Sequence, residues 1–258
     1  MRGWTQLGPR RFPRHKLRFF SLDFFLNSGP LTRVPPGMAP ALPKPHKDRG
    51  MEGMVAKWYT SNTGQSIDDF AKLARRIANQ LPRGSKVLEV APGPGYFCIE
   101  LRKLGDFSIT GLDISHTFVE IASKKASEAG VRVDFRQGNA SNMPLPSDAF
   151  DFLLCRAAFK NFGQPVRALQ EMCRVLKPGG RGLIIDLRKD ATMESINHEV
   201  NGMGLNAINR AMTKLIFRTF LLRTAYTKQQ FHQMLEQANF RSFGIDEEGI
   251  GFEISMTK

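Results

Sequence analysis

The sequence has few of the residues that build covalent crosslinks or metal centres. Its three cysteines, Cys98, Cys155 and Cys173, form no C-x-x-C pair, and each has apolar neighbours. We therefore predict buried thiols in a reducing compartment rather than disulfides or zinc ligands. The five histidines show no metal-ligand spacing, so we expect no bound metal ion.

Long apolar runs are missing as well. No stretch approaches the ~18 consecutive apolar residues that a membrane-spanning helix requires. Hydrophobic residues nevertheless make up 41% of the 258 residues, which is enough for a sizeable core. We expect a soluble, cytoplasmic protein without a membrane span.

Acidic residues are scarce at the N-terminus. Residues 1–50 contain ten Lys or Arg and two acids, whereas the rest of the chain contains 27 and 22. The net charge of +13 is therefore largely a property of this segment. Nucleic-acid binding favours basic residues clustered on a folded face, so the charge supports a nucleic-acid partner only weakly.

The same N-terminal segment is rich in Pro, Arg and Phe and has no lasting helix or strand period. We expect disorder over residues 1–50. No acid occurs before Asp23, which leaves open a mitochondrial presequence, and hence a mitochondrial location, although such a presequence would be poor in serine and broken by proline. The alternative is that translation begins at Met38, Met51 or Met54.

From Asp68 onwards the pattern alternates between helix and strand. Short apolar runs such as KVLEV, SITGLDI, FDFLLCRA and RGLIIDL are separated by segments with apolar residues at helical spacing. A further strand is predicted within 131–140 and a final helix within 225–240. This order predicts an α/β fold with a mostly parallel sheet and helices on both faces.

The stretch EVAPGPGYF, residues 89–97, lies between the first strand and the next helix. In such folds this loop forms the floor of the ligand site. The dinucleotide pattern fails because Cys98 stands at the third glycine position, and no Gly-Lys-Ser/Thr of a phosphate loop follows. Pro92 and Pro94 also remove two N–H donors, which favours a ligand without phosphate.

The order of motifs resembles the class I S-adenosylmethionine-dependent methyltransferases over about residues 54–258. KVLEVAPGPGYF is similar to their first motif, GLDIS to the end of their second strand, GNASNMPLP to their adenine-contacting segment and RVLKPGGRGLIID to the approach to their fifth strand. The resemblance implies a Rossmann-like fold with a seven-stranded, mostly parallel sheet. It assigns residues 51–258 to the methyltransferase domain.

The resemblance also implies S-adenosyl-L-methionine as cofactor. Asp113 matches the acidic residue whose two oxygens accept from the ribose hydroxyls. Ala91 stands where a glycine is usual, and Asn139 where Asp is commoner. The implied cofactor-binding residues are Glu89, Ala91, Gly93, Gly95, Asp113, Ile114, Asn139, Ala140, Cys155 and Arg156.

The implied activity is methyl transfer to a small-molecule acceptor that is apolar or aromatic. FLLCRAAFKNFGQPVRALQEMCRVLKPGG is similar to the ubiquinone/menaquinone-type C-methyltransferases, in which an Arg-Asn pair stands near the position of Lys160-Asn161.

No residue identifies itself as a general base. Asp186 ends the fifth strand and Arg156 follows the fourth, where both are placed to contact substrate or cofactor, and His198 and Tyr226 lie in the less regular C-terminal part. Each of the four is equally well explained as a structural polar group. Two alternatives remain open, an RNA-modifying methyltransferase and a non-catalytic subunit that binds the cofactor.

Residues 192–223 exceed the short connection that an α/β closure needs. We predict a helical lid over the acceptor. Its core-facing stripe is formed by Ile208, Met212, Leu215, Ile216 and Phe220. A helix buried on two sides, or a homodimer contact, is the alternative. Trp58 and Tyr59 are predicted to lie over the cofactor, although surface anchors of a helix would show the same sequence.

Overall fold

The structure is a computed structural model that describes residues 50–63, 67–202, 207–216, 222 and 224–258. The predictions made for residues 1–49 lie outside the described residues. So do residues 203–206, 217–221 and 223 of the helical insertion, and the side chain of Trp58.

In the described residues, helices and strands mostly alternate between residues 86 and 187, and three helices then precede the last two strands. The helices are α1 (Gly53–Thr63), α2 (Ile67–Ala78), α3 (Tyr96–Lys103), α4 (His116–Glu128), α5 (Pro165–Val175), α6 (Met193–Asn201), α7 (Ala207–Ile216) and α8 (Lys228–Glu236). The strands are β1 (Lys86–Val90), β2 (Ser108–Asp113), β3 (Asp134–Gln137), β4 (Phe150–Arg156), β5 (Leu176–Leu187), β6 (Ser242–Glu248) and β7 (Gly251–Thr257). A 3₁₀ turn, Phe159–Asn161, follows β4.

The strands form one seven-stranded sheet in the order β3-β2-β1-β4-β5-β7-β6. The strands from β1 to β5 pair in parallel, and β7 is antiparallel to both β5 and β6. The predicted α/β fold with a mostly parallel seven-stranded sheet is confirmed. The order reverses between β1 and β4, which is where ligands bind in open sheets of this kind.

Alternate residues of the central strands enter two separate cores, because side chains point to opposite faces of a sheet. Leu88 and Val90 of β1 pack in one core with α5 and α8. Val87 packs in the other core with α2 and α3. Both faces of the sheet are covered, which explains why the central strands read as nearly continuous apolar runs.

The insertion is helical, as α6 and α7 show. Thr192 caps α6 by accepting from the Ser195 N–H, and the buried Ile196 and Val200 anchor this helix in the core beneath α2 and α3. The predicted core-facing stripe of α7 is wrong at Leu215, which is 58% exposed. Thr213, two residues earlier, is fully buried. The side chains of the other predicted stripe residues lie outside the described residues.

Candidate functional site

A cavity of about 380 Å³ lies at the carboxyl ends of β1, β2 and β4, where the strand order reverses. Its floor is the loop 91–94, and its walls are residues 112–114, 138–140 and 156–162. Tyr59 of α1, Phe70 of α2, and Gly50 and Met51 from the segment ahead of α1 close it from above. The structure therefore forms a site at the place that the sequence predicted.

Eight of the ten predicted cofactor-binding residues line this cavity: Glu89, Ala91, Gly93, Asp113, Ile114, Asn139, Ala140 and Arg156. Among the described residues, the lining does not include Gly95 or Cys155. Cys155 is fully buried in the core that contains Leu88. Of the four polar residues considered for contact with substrate or cofactor, Arg156 lines the cavity, whereas Asp186, His198 and Tyr226 lie outside its described lining.

The glycine loop turns through left-handed backbone at three positions. Ala91 has φ 57°, Gly93 φ 54° and Gly95 φ 77°. The Ala91 N–H donates to the Leu112 carbonyl at 2.8 Å, which fixes the start of the loop against β2. A side chain on a left-handed residue is disfavoured, which accounts for glycine being usual where Ala91 stands.

Gly93 presents its backbone to the cavity. A Cβ built on it would have Tyr59 Cε1 as its nearest described neighbour, at 4.0 Å. Its N–H donates to Asp113 Oδ2 at 3.0 Å. A ligand can therefore approach the backbone closely here, as the sequence predicted.

Gly95 serves packing instead. A Cβ there would lie 2.7 Å from Phe135 Cζ and 2.9 Å from the Ala122 side chain. The glycine allows α3 to begin close to α4 and β3. Glycine at this position of the motif is therefore explained by the packing of α3 against α4 and β3.

Replacing Gly95 by alanine should lower the free energy of unfolding by about 1–3 kcal/mol, because the methyl group crowds two packed side chains. Gly179 is the matched control, since it has the same φ of 77° and no described atom within 4 Å of a built Cβ. Urea unfolding gives the loss of stability in both variants. The loss in Gly179→Ala reports backbone strain alone, and any additional loss in Gly95→Ala reports crowding. Equal losses in the two variants would show that crowding contributes nothing.

Asp113 connects β2 to the glycine loop and to α4. Oδ2 accepts from the Gly93 N–H, and Oδ1 accepts from the Ser115 N–H at 2.9 Å. Burial raises the pKa of Asp113, and these backbone donors partly offset the rise. Each oxygen keeps further lone-pair capacity for a ligand in the cavity.

Asn139 lies at the opposite wall. Its Oδ1 accepts from the Ser141 N–H at 2.8 Å, so the side chain is oriented by its own turn. Such a local bond is what Asp would make at the same position. Asn in place of Asp therefore preserves the turn, while it removes the charge and replaces one acceptor oxygen by an NH₂ donor.

Glu89 combines burial with a nearby cation. Its pKa is raised to about 7, chiefly by burial, while a hydrogen bond from Cys98 and the charge of Arg156 oppose the rise. Arg156 packs its guanidinium over the Phe70 ring at 4.2 Å from the centroid. Burial lowers the pKa of this arginine. The cavity therefore has an acidic group and a basic group at neighbouring positions.

A buried ion pair forms the next part of the wall. Lys160 Nζ lies 2.9 Å from Asp186 Oδ1 and also donates to the Ala157 carbonyl at 2.7 Å. The Lys160 N–H donates to Asp186 Oδ2, and the Leu187 N–H donates to Oδ1. Lys160 lines the cavity. Asp186 thus holds the lysine instead of facing the ligand itself.

The residues before α1 form an N-terminal strap, here defined as residues 50–52, that sequence reasoning missed. Glu52 accepts from the backbone N–H groups of His116 and Thr117, each at 3.0 Å, at the start of α4. The hydroxyl of Ser115 donates to the Met51 carbonyl at 2.6 Å. Carboxylates favour helix N-termini, so the strap is attached beside Asp113.

Tyr59 of α1 lines the cavity, as the prediction of an overlying aromatic residue requires. Its ring meets Phe118 of α4 edge-on at 5.7 Å between centroids. The Tyr96 hydroxyl donates to the Thr60 carbonyl at 3.0 Å, which attaches α1 to α3. The first helix is therefore fixed above the glycine loop by contacts at both of its sides.

Comparison with known proteins supports a single family. Residues 88–184 match the family described as "Methyltransferase domain". A methyltransferase of Bacillus subtilis, YdaC, whose function is uncharacterized, is 32% identical over 135 residues, which cover 51% of this chain and 70% of that protein. The chain belongs to the class I S-adenosylmethionine-dependent methyltransferase family.

Relatives with named activities match over a shorter stretch. The demethylmenaquinone methyltransferase of Deinococcus radiodurans is 35% identical over 108 residues, 42% of this chain and 45% of that protein. The ubiquinone/menaquinone biosynthesis C-methyltransferase of Bdellovibrio bacteriovorus is 34% identical over 104 residues, 40% of this chain and 44% of that protein. The match thus spans less than half the length of these relatives.

The fold is shared with solved structures of the class I methyltransferase family. A SAM-dependent methyltransferase from Aquifex aeolicus superposes with a TM-score of 0.55 at 21% identity, covering 74% of this chain and 97% of that chain.

In the part of the class I methyltransferase chain described here, no helix is long and apolar enough to cross a membrane. Within the same residues, no group of three or more His, Cys, Asp or Glu could hold a metal ion.

Proposed function

We propose that this protein transfers a methyl group from S-adenosyl-L-methionine to a small-molecule acceptor that is apolar or aromatic. The observation that carries the proposal is the link between Gly93 and Asp113. It places an open backbone and a carboxylate side by side on the floor of the cavity. Family membership supports the same reading.

The cavity fits the polar groups of this cofactor. Asp113 has lone pairs for the two ribose hydroxyls, and Glu89 faces the ammonium group. Asn139 and Ala140 border the adenine, and the loop 91–94 offers close backbone approach. The cofactor has no phosphate and needs no cluster of backbone N–H groups. This agrees with Pro92 and Pro94, which each remove an N–H donor from the loop.

The remaining wall is suited to the acceptor. Phe70, Phe162 and Tyr59 provide apolar surface, and Arg156 and Lys160 provide positive charge. The named activities of the relatives support an aromatic acceptor for this chain. Lys160 favours one with an oxygen that carries negative charge.

The bound cofactor supplies a methyl carbon activated by positive sulfur. The contribution of the chain is to bind and orient the two reactants, since holding them at near-attack distance removes much of the barrier. Phe70 and Tyr59 exclude water from one side of the cavity. Lys160, held by Asp186, is placed to bind an acceptor oxygen.

Calorimetry with S-adenosylhomocysteine tests the cofactor, and crystals grown with it and a metabolite extract test the acceptor by density beside the sulfur. Binding together with methyl transfer supports the proposal. Absence of binding would refute it. Binding without turnover on any acceptor would favour the non-catalytic subunit, and a salt-dependent shift on RNA would favour an RNA substrate.

Asp113→Ala should weaken binding of S-adenosylhomocysteine by about 1–3 kcal/mol, because the ribose hydroxyls and two backbone N–H groups lose their acceptor. The measurement is titration calorimetry, with circular dichroism to show that the fold persists. Asp134→Ala is the control, since Asp134 lies on the edge strand β3 and pairs with Arg136. Unchanged affinity in Asp113→Ala would remove this carboxylate from the site.

A further inference from the structure

Cys98 contacts a residue of the cavity although it lies outside the described lining. Glu89 shares a sheet face with Val87, beneath α3, because alternate residues of β1 point the same way. Cys98 lies in the first turn of α3, and its Sγ is 2.9 Å from Glu89 Oε2. Glu89 is 3% exposed and Cys98 is fully buried.

The direction of this hydrogen bond is fixed. Burial raises the pKa of the Cys98 thiol well above its usual range, and the charge of Glu89 raises it further. The thiol therefore keeps its proton and donates to the carboxylate. Because the bond engages Oε2, it restrains the rotation of the carboxylate. The backbone N–H of Cys98 bonds to the same carboxylate.

We propose that Cys98 is a positioning residue whose thiol holds the Glu89 carboxylate in the orientation that receives the ammonium group of the cofactor. The inference rests on the proposed function and goes beyond it. It assigns a role to a side chain that stands where dinucleotide-binding loops have glycine.

The charged and titratable groups around Glu89 come from three elements. Cys98 belongs to α3, Asp113 to β2, and Cys155 and Arg156 to β4. Tyr59 and Asp69 act on Arg156 and so affect Glu89 indirectly. Of these groups, Cys98 and Arg156 favour the ionised carboxylate, whereas Asp113 opposes it.

The pH dependence follows with a definite sign. The pKa of Glu89 is about 7, so the carboxylate becomes ionised, and able to bind an ammonium group, as the pH rises through about 7. A thiol is a weaker donor than a hydroxyl. Serine at position 98 should therefore favour ionisation more than cysteine does, and alanine should favour it less.

The first experiment measures binding of S-adenosylhomocysteine against pH. We expect the acidic midpoint of the wild-type profile near 7, a lower midpoint in Cys98→Ser and a higher one in Cys98→Ala, each displaced by roughly half a pH unit. Cys173→Ala is the matched control, because this buried thiol contacts the Asn239 carbonyl instead. Identical midpoints, or displacements in the same direction, would overturn the inference.

The second experiment needs no cofactor. Infrared difference spectra between wild type and Cys98→Ala isolate the S–H stretch of Cys98. We expect this band to move to lower wavenumber as the pH rises through about 7, and to lose this movement in Glu89→Gln. If the S–H band does not move, the role of Cys98 is overturned, whereas the proposed function is unaffected. A moving band in a wild-type protein that binds no S-adenosylhomocysteine would overturn the proposed function and, with it, the role toward the ammonium group.

Discussion

Replacing Asp186 by alanine should lower the free energy of unfolding by about 3–5 kcal/mol, because Lys160 is left as a buried charge without its carboxylate. The side chains of Lys160 and Asp186 are 7% and 1% exposed. The Lys160 and Leu187 N–H groups would lose an acceptor as well. Urea unfolding followed by circular dichroism gives the difference.

Two controls separate the ion pair from the loss of packing. Lys160→Met combined with Asp186→Leu removes both charges and should recover most of the lost stability, since apolar pairs often replace buried ion pairs without loss. Glu128→Ala removes the partner of the exposed Lys124 and should cost at most about 0.5 kcal/mol. A loss of less than 1 kcal/mol in Asp186→Ala would mean that Lys160 is solvated.

Replacing residues 203–216 by a Gly/Ser linker should reduce methyl transfer at least ~100-fold, because misplaced reactants lose the advantage of orientation. The proposed lid role underlies this expectation. Thr224, which follows the insertion, lines the cavity. The replacement leaves α6 in place, since Ile196 and Val200 belong to the core.

Affinity for S-adenosylhomocysteine should change little in this variant, because Asp113, Glu89 and the loop 91–94 are unaltered. Rates are measured on the acceptor found in the metabolite extract. Leu215→Gln is the matched control, since this exposed side chain should tolerate the change. Persisting turnover after the replacement would show that residues 203–216 do not form part of the acceptor site.

Much of the fold could be predicted because central parallel strands have a strong local signal. KVLEV corresponds to β1 residue for residue. The third strand is only Asp134–Gln137, shorter than predicted, because β3 lies at the sheet edge and carries polar side chains. The glycine loop could be predicted as well, because its left-handed backbone conformation is adopted most readily by glycine.

The parts that sequence reasoning missed depend on contacts between distant residues. Lys160 and Asp186 are 26 positions apart, and Glu52 and His116 are 64 apart. Neither pair has a local pattern. The same limit applies to Gly95, whose neighbours Phe135 and Ala122 are contributed by other elements.

The N-terminal strap makes the choice of first residue consequential for recombinant work. A shortened chain that begins at Met54 lacks Glu52 and the Met51 carbonyl, and so loses the bonds to His116, Thr117 and Ser115. One that begins at Met51 retains them but places a free amino group next to the cavity. A truncation series across residues 50–54 would therefore vary the cofactor pocket itself, and not merely the length of a tail.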